Sequence, residues 1–115
     1  MNKGVVFSID DDQDLQIVVK EYLESDGYNV ISVHSTQQAR EDVETARPDV
    51  ILLDLVLPDG EGLTLLPYLK TVTKAGIIVV SGKSDTTEKI ICLEMGANDY
   101  ITKPFEMREL SARIK

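Results

Sequence analysis

The chain has 115 residues, 43% hydrophobic and 28% charged, and its 12 basic against 20 acidic side chains leave a net charge of −8 at pH 7. That length and composition suit one folded domain, whereas the negative charge disfavours binding to nucleic acid or to anionic lipid. The single cysteine, Cys92, excludes an internal disulfide, and without a signal-peptide pattern or an apolar run of membrane-spanning length we expect a cytoplasmic protein with no membrane contact.

Short apolar runs recur along the chain and alternate with longer amphipathic segments. The five runs are residues 5–9, 28–33, 50–53, 76–80 and 99–102. Most of them are rich in β-branched residues and apolar on both faces, which is typical of parallel strands that helices cover on both sides of a sheet. We therefore predict five buried strands.

The segments between these strands indicate helices. The first helix carries an apolar stripe at helical spacing, formed by Leu15, Val18, Val19, Tyr22 and Leu23. The second is predicted to begin at a capping box made by Ser35 and Gln38 and to end before Pro48.

The third helix, after Gly60, contains Pro67, and because proline removes a helical hydrogen bond we expect a kink there. The fourth helix should run from about residue 86 to residue 95, and the fifth should bury Met107, Leu110 and Ile114. This alternation predicts one α/β domain over residues 1–115, a (βα)5 doubly wound parallel sheet with right-handed crossovers.

The acidic stretch after the first strand allows two interpretations. Asp10, Asp12, Asp14 and Glu21 have the spacing of the acidic ligands in an EF-hand calcium loop. However, Leu15 stands where that loop needs a glycine, and a predicted strand precedes the stretch instead of a helix. A calcium loop is therefore disfavoured, and Asp12 or Asp14 suits the N-cap of the first helix.

Four of the predicted strands end in residues that can carry chemistry. Acidic residues 10–12 follow the first strand and Asp54 the third, while Ser81 and Lys103 follow the fourth and the fifth. In an open parallel sheet, ligands bind at these ends. Neighbouring carboxylates suit Mg2+, whereas a lysine and a hydroxyl suit phosphoryl oxygens. The set predicts a phosphoryl-transfer site with a carboxylate nucleophile.

These residues resemble, over essentially the whole chain, the response regulator receiver family. The acidic pair Asp10-Asp11, the segments LLDLVLPDGEG and VVSGKSD, and the segment DYITKPF occur in the order that the family has. The resemblance implies a flavodoxin-like sheet with the strand order 2-1-3-4-5.

The resemblance also implies roles for the acidic residues and the lysine. Asp54 would accept a phosphoryl group from a sensor histidine kinase. Asp11, Asp54 and the carbonyl of Val56 would bind Mg2+, with Asp10 acting through water. Lys103 would pair with Asp54 and then with its phosphoryl group. Such a domain is not an enzyme, although it can hydrolyse its own phosphoryl group.

Three further residues match the switch of the family. Ser81 would hydrogen-bond a phosphoryl oxygen in the active state, and Tyr100 takes the place of the aromatic residue that turns inward with it. Pro104 takes the place of a proline that is usually joined to the lysine by a cis bond. From the residues alone, Tyr100 could equally be a half-buried strand tyrosine and Pro104 a trans turn proline.

The last third of the chain resembles the OmpR/PhoB-like branch, whose receivers dimerise through the fourth helix, the fifth strand and the fifth helix. The residues at the positions of that interface are Lys89, Ile90, Leu93, Glu94, Asp99, Glu109, Ala112, Arg113 and Lys115. Matched across a dimer, the six charged ones form three pairs of opposite sign, although a solvated surface would carry similar charges.

Receivers of this branch usually precede a winged-helix domain that binds DNA. The chain stops at Lys115, within the predicted fifth helix. We therefore expect it to be a fragment of a longer transcription regulator, with DNA bound only by a domain that it lacks.

Two other functions are compatible with parts of the sequence. A phosphatase of the haloacid dehalogenase type would use the end of the first strand, where Asp10 and Asp12 mimic its Asp-x-Asp pair, but the chain is short for that fold. A receiver-like binding module could instead act through protein contacts alone, without phosphorylation.

Overall fold

The computed structural model describes residues 3–82 and 86–114. Its elements in chain order are β1 (Val5–Ile9), α1 (Gln13–Ser25), β2 (Asn29–Val33), α2 (Thr36–Ala46), β3 (Val50–Asp54), β4 (Val56–Leu57), β5 (Gly60–Glu61), a 3-10 turn (Gly62–Thr64), α3 (Leu65–Val72), β6 (Gly76–Ser81), α4 (Thr86–Glu94), β7 (Asp99–Thr102) and α5 (Met107–Ile114). None of the helices in the described ranges has the length and apolarity needed to cross a bilayer.

The five longer strands form one parallel sheet in the order β2-β1-β3-β6-β7, and the two-residue strands β4 and β5 form a separate antiparallel ribbon. With that ribbon set aside, the order is the predicted 2-1-3-4-5. The doubly wound, flavodoxin-like fold is therefore confirmed, and the five strands begin and end within one residue of their predicted bounds.

Alternate residues of each strand contribute to two separate apolar layers. Phe7 and Leu53 belong to the layer that α2, α3 and α4 cover, whereas Val6 and Leu52 belong to the layer that α1 and α5 cover. Burying a side chain of this size contributes about 1.5–3 kcal/mol. The both-sided apolar pattern of the strands is thus explained by helices on both faces of the sheet.

Four residues of the predicted stripe in α1 pack against the core, but one does not. Val18, which we expected in the buried stripe, is 50% exposed, whereas Gln16, Val19 and Leu23 are buried. The prediction for Val18 is wrong because Gln16 takes the place facing the sheet, where backbone carbonyls accept hydrogen bonds from its amide. Those bonds offset the cost of burying the amide nitrogen, whereas the buried amide oxygen of Gln16 has no hydrogen-bond partner among the described residues.

Side chains cap both of the first two helices as predicted. The Leu15 N–H donates to the side chain of Asp12 at 3.1 Å, and the Gln38 N–H donates to the hydroxyl of Ser35 at 3.1 Å. Gln38 completes the capping box by accepting from the N–H of His34, one residue before the cap, at 3.0 Å. Caps of this kind contribute about 1 kcal/mol each.

Helix α3 begins later than the sequence suggested. It starts at Leu65, after the 3-10 turn Gly62–Thr64, so Pro67 lies in its first turn instead of interrupting a longer helix. The kink was expected because proline would remove a hydrogen bond inside the helix. That reason does not apply here, because an N–H in the first turn has no partner within the helix and proline is tolerated there.

Candidate functional site

The carboxyl ends of the strands meet at one edge of the sheet, and backbone hydrogen bonds hold the residues that follow them. The Asp10 N–H donates to the carbonyl of Val33 at 3.0 Å, and the Lys103 N–H donates to the carbonyl of Ser81 at 2.7 Å. Asp54, the last residue of β3, lies beside Val80 in the register of the sheet. The structure thus brings the predicted strand-end residues to the same edge.

Three carboxylates cluster at this edge. Asp10, Asp11 and Asp54 each place one oxygen within 4.8 Å of the others, with Asp10 and Asp54 buried and Asp11 exposed. Asp10 also accepts a hydrogen bond from the Asp12 N–H at 3.0 Å, which orients it toward the cluster. Hard oxygen donors with one side open to solvent fit a divalent cation such as Mg2+.

The remaining acids of the same stretch cap α1 or lie on its exposed surface. Asp12 caps α1, and Asp14 and Glu21 lie within α1, exposed to solvent. They do not form a calcium loop, because the loop-forming residues of an EF-hand would have to be non-helical and would follow a helix instead of β1.

Lys103 bridges the two buried carboxylates. Its Nζ lies 2.8 Å from Oδ2 of Asp10 and 3.2 Å from Oδ2 of Asp54, and its side chain is 24% exposed. It joins β7 to β1 and β3 across the edge of the sheet. One ammonium compensates only part of the charge of three carboxylates, so the cluster retains affinity for a further cation.

The surroundings of these groups shift their protonation equilibria. Burial raises the pKa of Asp54, and the charge of Asp10 raises it further, against the lowering effects of the Val56 N–H and Lys103. Burial works to lower the pKa of Lys103, but its hydrogen bond with Asp10 and the charges of both carboxylates outweigh it and raise the pKa. Lys103 therefore stays protonated at neutral pH, as a ligand for phosphoryl oxygens must.

The loop after Asp54 is fixed at both of its ends. The Val56 N–H donates to Oδ1 of Asp54 at 3.2 Å, and the Gly62 N–H donates to the carbonyl of Leu55 at 2.8 Å. Asp59 accepts from the N–H groups of Thr36 and Gln37 at 2.8 and 3.0 Å, and these bonds lower its pKa. The loop is therefore held against the start of α2. The predicted role of the Val56 carbonyl as a metal ligand stays a prediction.

Gly62 cannot be replaced without moving the backbone of Asp54. A Cβ on Gly62 would overlap the carbonyl oxygen of Asp54 and lie 2.9 Å from the Cα of Leu55. Both obstacles are main-chain atoms, which cannot turn away as a side chain could. The second glycine of the LLDLVLPDGEG segment, Gly62, thus allows the loop to fold back against the end of β3.

Gln16 is a supporting residue that the sequence did not reveal. Its Nε2 lies within hydrogen-bonding distance of the carbonyls of Ser8, Asp10 and Val33, at 2.9, 3.0 and 3.1 Å. These contacts connect α1 to the end of β1, to the backbone of Asp10 and to the end of β2. A polar residue at a helix position that the sheet covers is the signal that could have identified it.

The hydroxyl groups of Ser81 and Tyr100 share one acceptor on α4. Oε1 of Glu88 lies 2.9 Å from Oγ of Ser81 and 2.7 Å from the hydroxyl of Tyr100. Tyr100 is only 5% exposed, so its ring points inward. Burial raises the pKa of Tyr100 to about 12, with the Glu88 carboxylate acting in the same direction and the Ser81 hydrogen bond acting against it. Glu88 was not among the predicted site residues.

The peptide bond between Lys103 and Pro104 is cis, as the resemblance implied. It follows β7 immediately, at the point where the chain turns toward α5.

The predicted dimer residues lie along α4, β7 and α5. Lys89, Ile90, Leu93, Glu94, Glu109, Ala112 and Arg113 are exposed and Asp99 is half-buried, while Lys115 lies outside the described residues. Nη1 of Arg113 lies 2.9 Å from both oxygens of Asp99 in the same chain, and Nη2 lies 3.4 Å from Glu109. To form an ion pair between Asp99 of one chain and Arg113 of another, the ion pair that these two residues form within one chain would have to break. The dimer stays a prediction.

Comparison with known proteins identifies relatives for nearly the whole chain. The family model described as "Response regulator receiver domain" matches residues 6–115. The protein "TorCAD operon transcriptional regulatory protein TorR" of Escherichia coli K12 is 42% identical over 107 residues, which are 93% of this chain and 46% of that protein. The chain thus spans about half the length of the curated relatives that it matches.

Solved structures agree with the fold. The BeF3-activated N-terminal receiver domain of RstA from Klebsiella pneumoniae superposes with a TM-score of 0.90 at 29% identity, covering 96% of this chain and 94% of that one. A response regulator protein from Burkholderia pseudomallei, solved with a phosphorylated aspartic acid, a calcium ion and citrate, has a TM-score of 0.91 at 25% identity, covering 96% of this chain and 66% of that one.

Proposed function

This chain belongs to the response regulator receiver domains, with OmpR/PhoB-family regulators as its relatives, and from that premise we propose that Asp54 accepts a phosphoryl group from a sensor histidine kinase. The observation that carries the proposal is the position of Lys103, whose Nζ lies 2.8 Å from Asp10 and 3.2 Å from Asp54. The buried carboxylate supplies a nucleophile, and the protonated lysine beside it supplies a ligand for the phosphoryl oxygens.

In the proposed reaction, an oxygen of Asp54 attacks the phosphorus of a phosphohistidine. A P–O bond forms as the P–N bond breaks, and the bonding electron pair returns to the imidazole of the kinase. Lys103 stays beside Asp54 and donates to the transferred phosphoryl oxygens. Attack by water on the acyl phosphate would later release inorganic phosphate, so the domain acts as an acceptor and not as an enzyme on other molecules.

The acidic cluster supports a requirement for Mg2+. Asp10, Asp11 and Asp54, with the Val56 carbonyl, are the groups that would hold the ion. When bound, it supplies positive charge that compensates the carboxylates and the incoming phosphoryl oxygens. Asp10 and Asp54 repel each other, and Lys103 alone balances one of them, which is why a second cation is needed before a dianionic phosphoryl group can approach.

The output of the proposed switch is the surface of α4, β7 and α5. Ser81 would donate to a phosphoryl oxygen on Asp54, and a change at Ser81 would reach Tyr100 and α4 through their shared hydrogen bonds. We propose that the phosphorylated domain dimerises through this surface in the cytoplasm and regulates transcription through a DNA-binding domain beyond the present chain, as the name of the TorR relative suggests.

Phosphorylation is tested with acetyl phosphate and Mg2+, followed by intact-mass spectrometry. We expect the wild-type chain to gain one phosphate, Asp54→Asn to gain none, and the chelator EDTA to prevent the gain. Asp14→Asn removes an exposed acid of α1 and serves as the matched control that keeps the wild-type result. Phosphate retained by Asp54→Asn but lost by Asp10→Asn would refute the proposal in favour of the dehalogenase-like alternative.

Dimerisation is tested by light scattering with Mg2+ and beryllofluoride, an analogue of the phosphoryl group. We expect a dimer that Ile90→Asp abolishes, because a charge would be buried in the contact. Ile17→Asp is the matched control, since Ile17 on α1 is 56% exposed and Ile90 is 49% exposed. A wild-type chain that stays monomeric with beryllofluoride bound would contradict the proposed interface.

A further inference from the structure

One carboxylate oxygen of Glu88 accepts hydrogen bonds from both hydroxyl groups of the proposed switch. Its Oε1 lies 2.9 Å from Oγ of Ser81 and 2.7 Å from the hydroxyl of Tyr100. Ser81 is 3% exposed and Tyr100 is 5% exposed, so water competes weakly for either group. A carboxylate is a stronger acceptor than a neutral oxygen, especially away from bulk water.

The position of Ser81 in β6 determines the face of the sheet to which its hydroxyl points. Val80 is the residue of β6 that lies beside Asp54, and successive side chains of a strand point to opposite faces. The side chain of Ser81 therefore points to the face that carries α4, where Glu88 lies. Its hydroxyl has one proton, so a donation to Glu88 and a donation to a phosphoryl oxygen on Asp54 exclude each other.

We propose that Glu88 is a positioning residue that competes with the phosphoryl group for the hydroxyl of Ser81. Its carboxylate stabilises the arrangement in which Ser81 and Tyr100 are turned toward α4. Phosphorylation has to remove Ser81 from this acceptor, and the strength of the contact sets part of the free energy that the phosphoryl group must supply. The inference rests on the proposed function, because it assigns a competitor to a step of that function.

The test is a beryllofluoride titration in saturating Mg2+, followed by the amide NMR signals of the domain. Removing the competitor in Glu88→Ala should tighten binding about two- to tenfold, which corresponds to the net contribution of one hydrogen bond. The isosteric Glu88→Gln keeps a neutral acceptor and should lie between Glu88→Ala and wild type. Glu41→Gln, an exposed acid of α2, controls for the change in net charge and should bind as wild type does.

A double-mutant cycle separates competition from a general structural effect. In a Ser81→Ala background the gain from Glu88→Ala should disappear, since no hydroxyl remains to be released. The pKa of Tyr100, followed through its own ring NMR signals because the chain has four tyrosines, should fall below about 12 in Glu88→Gln because one cause of its elevation is removed.

The outcomes distinguish this inference from the function on which it rests. If the wild-type chain does not bind beryllofluoride, or Asp54→Asn binds it equally well, the phosphoacceptor function itself is refuted. If the wild type binds but Glu88→Ala binds no more tightly, Glu88 is not a competitor. An equal gain with and without Ser81 would also overturn the proposal. Thermal unfolding of each variant confirms that the compared chains are folded.

Discussion

Gly62→Ala tests whether the loop after Asp54 depends on a close main-chain approach. The added methyl group would overlap the carbonyl oxygen of Asp54 and lie 2.9 Å from the carbonyl carbon of that residue. Because the three nearest atoms are backbone atoms, the loop has to move away from the end of β3. That movement lengthens the 2.8 Å hydrogen bond from the Gly62 N–H to the carbonyl of Leu55.

The expected loss of stability follows from this overlap. Overpacking a rigid site lowers the free energy of unfolding by about 1–3 kcal/mol. Because the contact is with main-chain atoms, we expect a loss of ~3 kcal/mol for Gly62→Ala. At roughly 2.1 cal/mol/K of unfolding entropy per residue, a chain of 115 residues loses about 4 °C of Tm for each kcal/mol, so we expect a fall of ~12 °C. Calorimetry or circular dichroism measures it, and the rate of phosphorylation by acetyl phosphate should fall because Asp54 moves with the loop.

Gly76→Ala provides the matched control. Gly76 has no positive φ, and a Cβ there would meet only the side chain of Asn98, at 3.9 Å, among the residues that the structure describes. We expect its free energy of unfolding to change by less than about 1 kcal/mol. A Gly62→Ala chain whose Tm lies within ~2 °C of the wild type would refute the reasoning about the close approach.

Two further predictions concern acids whose pKa values differ between the folded and unfolded chain. Because the pKa of Asp54 is raised, its ionised form opposes folding above the usual pKa of 3.8. In EDTA, Asp54→Asn should therefore unfold at a higher urea concentration than wild type at pH 7. This difference should shrink as the pH falls through the raised pKa of Asp54 and be absent below 3.8. Because the pKa of Asp59 is lowered, its contribution is present at neutral pH and lost on acidification; Asp59→Ala should be less stable than wild type at pH 7 and equal to it in acid. Equal urea midpoints at both pH values would contradict either argument.

The sequence predicted the sheet well because its strands are buried on both faces. Such strands appear as continuous β-branched runs, and the residues just beyond them were the ones that the fold brings together at its edge. The helices were harder to predict. In α1 the exposed Val18 and the buried Gln16 reverse the polarity expected at those two positions. Gln16 is buried because its amide donates to the carbonyls of Ser8, Asp10 and Val33.

The residues that support the site left a weaker signal than those that form it. Glu88 lies on an amphipathic helix with other charged residues, so nothing in the one-dimensional pattern marks it as the acceptor of two hydroxyls. Asp59 caps the start of α2, where the N–H groups that it accepts from belong to Thr36 and Gln37, more than 20 positions earlier in the sequence. Contacts between segments far apart in the chain are decided by the packing of the elements and not by local spacing.

The contact between Lys103 and Asp10 affects the order in which the parts of the site assemble during folding. The two residues are separated by 93 positions, and Lys103 follows the strand at the outer edge of the sheet, which pairs with β6. An edge strand has one neighbour in the sheet and can detach in local unfolding, and the contact between Lys103 and Asp10 closes a loop of 93 positions, whose entropic cost grows with its length. A partly unfolded chain can therefore expose its carboxylates without the lysine, and under the proposed function only a chain whose last strand has docked would accept the phosphoryl group.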